Sequence, residues 1–351
     1  MNTQIISIEE DNIDESLIRA AGDIIKSGGL VAFPTETVYG LGGDALNPAS
    51  SKKIYAAKGR PSDNPLIVHI ADLDMLDAIV TEVSEPARLL AERFWPGPLT
   101  MILPKADSVP YETTGGLDTV AVRMPIHKTA AAFIRAAGGY IAAPSANISG
   151  RPSPASARFV IEDMDGRIDM IIDGGDVEIG LESTIVDLTG DIPMLLRPGY
   201  ITLEQLREVL GRVDVDPTIM DGSCKDRPKA PGMRYKHYAP KGDLTIIEGS
   251  VESVSEYINR LSKVAMDRGK KVGVIATDET YAGYRADSVK SIGSRTDEIT
   301  IAHRLYNILR EFDDEDMEVI FSESFDSSGV GQAIMNRLLK AAGHQIIYTE
   351  D

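Results

Sequence analysis

The chain has 351 residues, 43% hydrophobic and 26% charged, with 54 acidic against 36 basic residues and a formal net charge of -18. This is the composition of an ordinary globular protein of about two domains. The negative balance argues against loose binding to nucleic acid or an anionic membrane, and the single Cys224 excludes an intramolecular disulfide framework or a zinc site built on paired cysteines. Met1 to Glu15 carries five acidic residues and no basic one, the reverse of a signal peptide's charge pattern. No apolar run approaches the ~18 residues of a spanning helix, so a cytoplasmic location is expected.

In chain order, Leu17, Ile18, Ala21, Ile24 and Ile25 predict a helix over Glu15–Ser27, stopped by Gly28-Gly29. Leu30–Phe33 is a short apolar strand running into Pro34. Pro48–Ala57 is a helix ending near Gly59, Leu66–Ile70 a strand, and Glu85–Phe94 a helix stopped by Pro96. Strands follow at Leu99–Leu103, Thr119–Met124 and Tyr140–Ala143, with a helix over Lys128–Ala137 between the last two. Met170–Asp173, Ser183–Asp187 and Met194–Arg197 are further strands, and Leu203–Leu210 a helix. Several strands follow one another without helices between them, so the sheet should be mixed and twisted.

From Gly211 to Gly242 the pattern lapses into a proline-punctuated stretch, expected to be a linker or lid. Its second half, Lys225 to Lys241, has six Lys/Arg and one Asp. Beyond it, strands at Leu244–Glu248, Val272–Ala276, Val319–Phe321 and Ile346–Tyr348 are separated by helices at Val251–Asp267, Asp297–Glu311 and Gly331–Ala342. That is a second, smaller βαβ domain. The expected division is 1–211, a linker over 212–242, and 243–351. Gly329-Val330-Gly331 reads as a helix start rather than a dinucleotide fingerprint.

Walker, zincin and nucleophile-elbow signatures are absent. Four segments carry chemistry instead. Pro34-Thr35-Glu36-Thr37-Val38-Tyr39-Gly40-Leu41-Gly42 sets two hydroxyls and a carboxylate after a buried strand, at the usual ligand edge of an α/β sheet, though a polar turn with a Gly-rich exit explains it equally. Lys58-Gly59-Arg60-Pro61 places two cations beside a helix end, a pair suited to polyphosphate or, more plainly, to capping that helix. In Ala143-Pro144-Ser145-Ala146-Asn147-Ile148-Ser149-Gly150-Arg151-Pro152-Ser153-Pro154, neutral donors lead to an apparent N-cap at Ser153 and a proline at the first helical position, an anion site or simple turn chemistry. Finally, Glu182-Ser183-Thr184 precedes Leu196-Arg197-Pro198-Gly199, and Arg123 lies on the opposite strand face from Val120 and Val122. An arginine there wants a carboxylate or phosphate, and structural pairing with an Asp serves as well.

Taken together, PTETVYGLGGDA, KGRPSDNPL, FWPGPLT, VAVRMP, APSANISGRPSP, GLESTIVD and LLRPG resemble, in one order, the YrdC-like threonylcarbamoyl-AMP synthase family in its long two-domain form. PGMRYKHYAPKGDL resembles the family's interdomain segment. The resemblance implies an α/β fold with an N-terminal YrdC-like mixed sheet and a C-terminal Rossmann-like domain. It implies a nucleotidyltransferase that makes threonylcarbamoyl-AMP and pyrophosphate from L-threonine, bicarbonate and ATP, with Mg²⁺ on the phosphates. The product would pass to a tRNA threonylcarbamoyl-transferase complex, without stable nucleic-acid or membrane binding.

By the same resemblance, Lys58 and Arg60 are catalytic, and ATP is held by Lys58, Arg60, Asn64, Thr119, Ser145, Asn147, Ser153, Arg197 and Tyr235. Threonine is lined by Thr35, Thr37, His69, Arg123, Ala143 and Ser183, although His69 also reads as a satisfied strand histidine. Competing readings are an RNA- or tRNA-binding module without catalysis, disfavoured by the acidic charge, a carbamoyl-transferring hydrogenase-maturation enzyme, disfavoured by the lone cysteine, and an idle scaffold.

Overall fold

The computed structural model describes residues 2–221, 229–231 and 238–349. It divides into two units, Met1–Ser149 with Ser153–Arg234, and Gly150–Pro152 with Tyr235–Asp351. The first unit contains β1 (Gln4–Ser7), α1 (Glu15–Lys26), β2 (Val31–Phe33), β3 (Gly40–Asp44), α2 (Pro48–Lys58), β4 (Ile67–His69), α3 (Glu85–Phe94), β5 (Leu99–Pro104) and β6 (Thr119–Arg123). It continues with α4 (Lys128–Ala136), β7 (Ile141–Ala143), α5 (Ala157–Met164), β8 (Met170–Asp173), β9 (Thr184–Asp187), β10 (Met194–Arg197), α6 (Leu203–Leu210), β11 (Asp214–Val215) and α7 (Thr218–Asp221).

Local chemistry sets the helix ends. The Asp14 side chain accepts from the backbone of Ser16 and Leu17 to start α1. Asn47 and Pro48 start α2, and Gly59 ends it in the left-handed region at φ 62°. In α6, Thr202 and Gln205 form a reciprocal capping box.

The described strands of this unit form one sheet, ordered β1-β8-β2-β3-β7-β4-β6-β5-β9-β10-β11. It is mixed as expected: β4 pairs parallel with β6 but antiparallel with β7, and β5 pairs antiparallel with β6 but parallel with β9. Side chains alternate between its faces. One face buries Ala32, Val68, Met101, Val122 and Val186 in a core that includes Ile54 of α2, Leu90 of α3, Val160 of α5 and Leu206 of α6. Each such Leu or Ile contributes about 1.5–3 kcal/mol when fully buried.

The other face is divided. Over β2, β7 and β8, Phe33, Ile141 and Ile172 pack with Ile18 and Ile25 of α1 and Phe133 and Ile134 of α4. Over β4, β5, β6 and β9, Ile67, Ile102, Ala121 and Ile185 form a small apolar floor with Leu196 and Ala230, and no residue of a described helix joins that cluster. The candidate site lies at this stretch.

The second unit holds β12 (Asp243–Glu248), α8 (Val251–Asp267), β13 (Val272–Ala276), β14 (Ser288–Ser291), α9 (Glu298–Asp314), β15 (Val319–Glu323), α10 (Gly329–Ala341) and β16 (Ile346–Tyr348). Its strands pair in parallel in the order β14-β13-β15-β12-β16, and helices connect most of them, as an α/β layer requires. Within this unit the Arg310 guanidinium of α9, 1% exposed, donates to the Pro152 carbonyl from Nε (3.2 Å) and Nη2 (2.6 Å). Among the described residues, no helix is long and apolar enough to cross a membrane.

Three local expectations fail. Gly40–Asp44 is not the exit of a turn but the strand β3, paired with β2 and β7. Glycine is needed there because a Cβ on Gly42 would lie 2.9 Å from Ile141 Cγ2 and 3.1 Å from the Phe33 ring. Ser153 and Pro154 do not open a helix: α5 begins at Ala157, after the cap residue Ser156. The Pro154 and Ala155 carbonyls instead accept from the Tyr39 and Val177 N–H groups, which ties this segment to its neighbours. Lastly, the stretch after Gly211 begins with regular structure, because β11 pairs with β10, Val213 is buried in the core and α7 follows.

Candidate active site

Two groups of polar side chains flank the apolar floor. At one end stands Lys58, the last residue of α2, with 2% of its surface exposed. Its ammonium donates to the backbone carbonyls of Ser145 and Asn147, with Asn147 Oδ1 at 3.4 Å. Ser145 Oγ donates to Asn147 Oδ1 (2.5 Å), and the Ser149 N–H returns to the Lys58 carbonyl (2.9 Å). The turn that Gly59 makes lets Arg60 reach the carbonyls of Pro65 (Nη2, 3.1 Å) and Asn64 (Nε, 3.4 Å). Asn64 Oδ1 is buried without a hydrogen-bond partner. Carbonyl acceptors orient a cation without themselves carrying a neutralising charge.

At the other end, Arg123 closes β6. Its Nη1 donates to Thr37 Oγ1 (2.7 Å), which lies 2.9 Å from Thr35 Oγ1. Thr35 Oγ1 in turn donates to the Val38 carbonyl (2.7 Å). Each hydroxyl has one proton, so the chain runs in one direction from guanidinium to backbone. Arg123 Nη2 also lies 2.7 Å from Glu36 Oε1, both side chains at most 5% exposed. That ion pair is out of hydrogen-bond alignment, so both Glu36 oxygens and Arg123 Nη2 lack a well-directed hydrogen bond.

His69 pairs in register with Arg123 across β4 and β6, its ring edge-on to Phe33 with centroids 6.0 Å apart. Burial, and secondarily the Arg123 charge, push its pKa down to about 3. The ring is therefore neutral near pH 7, and its Nδ1–H donates to the Ile67 carbonyl at 3.1 Å. Ala143, 3% exposed, pairs with Ile67 at the edge of the floor.

A third group lies beside Arg123. Ser183 Oγ and Thr100 Oγ1 share a hydrogen bond of 2.7 Å, and Thr100 lies opposite Arg123 in the β5–β6 pair. Arg197 donates to the Ser183 carbonyl (3.0 Å), to Ser183 Oγ (3.1 Å) and to the Pro231 carbonyl (3.4 Å). Ser153 Oγ donates to Glu182 Oε1 (2.6 Å). Over the floor, Ala230 is fully buried and Lys229 pairs with Asp187 at 3.2 Å.

Sequence reasoning therefore named residues that the fold gathers: Lys58 with Ser145 and Asn147, Arg60 with Asn64, Thr35 and Thr37 with Arg123, and Ser183 with Arg197. Thr119 opens β6, about 13 Å along the strand from Arg123, and pairs with Pro104 of β5. Tyr235 lies outside the described residues. Not selected beforehand were Glu36, Thr100 and Glu182, although each stands inside a motif already singled out. Among the described residues there is no group of three or more His, Cys, Asp or Glu able to hold a metal ion. A Mg²⁺ here would rest chiefly on substrate phosphates, its usual manner of binding.

Comparison with known proteins covers the whole chain. The Sua5–YciO–YrdC family model, described as "Telomere recombination", matches residues 23–199, and the model "Threonylcarbamoyl-AMP synthase, C-terminal domain" matches 201–343. A Pyrococcus abyssi protein named threonylcarbamoyl-AMP synthase is 49% identical over 98% of this chain and 99% of its own. A Bacillus subtilis protein of the same name is 50% identical over 97% and 96%. The crystal structure of P. abyssi Sua5 complexed with L-threonine is 48% identical, covers 99% of this chain and 100% of its own, and superposes with a TM-score of 0.94.

Proposed function

Because the chain belongs to the Sua5–YciO–YrdC family of threonylcarbamoyl-AMP synthases, we propose that it condenses L-threonine, bicarbonate and ATP into threonylcarbamoyl-AMP and pyrophosphate. The observation that carries this reading is the floor with two unlike ends, a carbonyl-held Lys58 at one and Arg123 with Thr35 and Thr37 at the other.

In this reading the threonine amine and bicarbonate-derived carbon dioxide form a carbamate, whose oxygen attacks the α-phosphate while pyrophosphate leaves. No enzyme nucleophile is needed. The protein supplies alignment and positive charge. Lys58 and Arg60 stabilise the departing pyrophosphate, and Asn64, Thr119, Ser145, Asn147 and Ser153 hydrogen-bond the nucleotide. Arg197, through its three bonds to Ser183 and Pro231, ties the nucleotide side to the threonine side. Arg123 takes the threonine carboxylate, with Thr35, Thr37, Ala143 and Ser183 around it. His69, neutral because it is buried, serves as wall and hydrogen-bonding partner rather than as a cation. Mg²⁺, if carried in on the phosphates, would supply charge neutralisation.

A carbamate in water loses carbon dioxide, so the site must exclude solvent. Ala230 on the floor and the Lys229–Asp187 pair support the 212–242 segment as the cover. The product would be consumed by a transferase that modifies tRNA, in the cytoplasm.

The test is pyrophosphate release assayed with each amino acid, with and without bicarbonate. Release that requires ATP, threonine and bicarbonate together is expected. Release independent of threonine would refute the assignment.

A further inference from the structure

We propose that Glu36 is the receptor for the α-ammonium group of the substrate, so that Arg123 and Glu36 together recognise an amino acid as a zwitterion. The inference rests on the reading above and deepens it at one residue. Glu36 is 3% exposed, and neither carboxylate oxygen has an aligned hydrogen bond. A buried carboxylate ordinarily accepts several, and leaving them unmade is costly.

Three nearby backbone donors are spent elsewhere. The Thr37 N–H goes to Thr35 Oγ1 (3.2 Å), the Ile179 N–H to the carbonyl of Glu36 itself (2.8 Å), and the Gly180 N–H to the Thr37 carbonyl (3.0 Å). Both carboxylate oxygens are left as unused acceptors, and an ammonium group brings three donors.

Charge leads to the same ligand. Arg123 and Glu36 cancel one another at 2.7 Å. His69 is neutral, and burial lowers the pKa of His127, which feels the charges of Glu10, Glu36 and Glu178. Into such surroundings a bare carboxylate would bring an uncompensated charge, the expensive case in a desolvated site. A zwitterion brings none: its carboxylate meets Arg123 while its ammonium meets Glu36. Glu36 would thereby make the site choose amino acids over hydroxy acids of the same shape.

Calorimetric titration of the full chain with L-threonine and with 2,3-dihydroxybutyrate, in which a hydroxyl replaces the amine, tests this. The unmodified protein should prefer threonine by about tenfold or more. In E36Q, threonine binding should weaken by about tenfold or more while dihydroxybutyrate binding holds or tightens, collapsing the preference. If Glu36 only orients Arg123, both ligands would weaken equally and the preference would survive, which overturns the proposal. Equal affinity of the two ligands for the unmodified protein overturns it without any variant. No threonine binding by the unmodified protein would overturn the functional reading along with it, whereas unchanged threonine binding in E36Q removes this inference alone.

Discussion

The two ends of the floor handle a buried cation in opposite ways. Lys58 donates to the carbonyls of Ser145 and Asn147, neutral acceptors that fix its position. Arg123 is set against a carboxylate, and the pair is neutral as a unit. The lesson is that the partner of a cation, more than the cation itself, decides which ligand it suits. A charge held by carbonyls favours a polyanion, and a charge balanced by an acid favours a ligand that is itself balanced. The backbone carries this difference. The Ala143–Ser149 strand exit turns its carbonyls toward Lys58, while the three residues after Pro34 place Glu36 between two hydroxyls.

The contrast breaks most readily at Lys58. K58M should lower pyrophosphate release by about 10²–10³-fold while threonine affinity, read calorimetrically, stays within about threefold, since the two ends bind separately. Loss of threonine binding in K58M would show the ends to be one site.

A second effect is pH-dependent and belongs to the Arg123 end. The folded-state pKa of His69 is about 3, below the ordinary value of about 6.5, so as pH falls the unfolded chain takes up that proton first. The contribution of His69 to stability is therefore whole above about pH 6.5 and is lost toward pH 3, at up to roughly 1.4 kcal/mol per pH unit. Urea midpoints at pH 7, 6, 5 and 4 should fall more steeply for the unmodified chain than for H69Q. Parallel curves would mean that His69 titrates normally.

Gly59 tests the carbonyl-held end. Its φ of 62° is left-handed, and no atom lies within 4 Å of where a Cβ would stand. G59A should therefore cost about 1–2 kcal/mol from backbone conformation alone, with ATP affinity reduced as Lys58 and Arg60 shift. An unchanged unfolding free energy would show that the turn tolerates a side chain. The smallest expected effect is T37V, which removes the hydroxyl that receives Arg123 Nη1. It should raise the threonine KM several-fold, as loss of one hydrogen bond to a charged group does, with the ATP KM unchanged.

Much of the fold was legible beforehand for identifiable reasons. Val251–Asp267 and Val272–Ala276 match the sequence reading to the residue, because one is a long amphipathic stripe and the other an apolar run between breakers. β3 escaped because Gly-Leu-Gly-Gly-Asp has no alternating side chains; its fit against Phe33 and Ile141 exists only in three dimensions. The Ser153-Pro154 signature is a sound helix start locally, and tertiary hydrogen bonds from Tyr39 and Val177 override it. β14, Ser-Val-Lys-Ser, is half-buried throughout and has no apolar pattern to find. In the site, types and motifs pointed to Lys58, Ser145, Asn147 and Arg123. That Glu36, and not an Asp, faces Arg123 depends on how 34–38 folds back against β6, which spacing does not encode.

The most direct measurement is a pair of titrations on K58M and R123K, each with ATP and with L-threonine. R123K keeps the charge and loses the guanidinium fork. The account predicts a crossed outcome, with K58M losing ATP and keeping threonine and R123K losing threonine and keeping ATP. Variants that lose both ligands, or the reverse pairing, would contradict it.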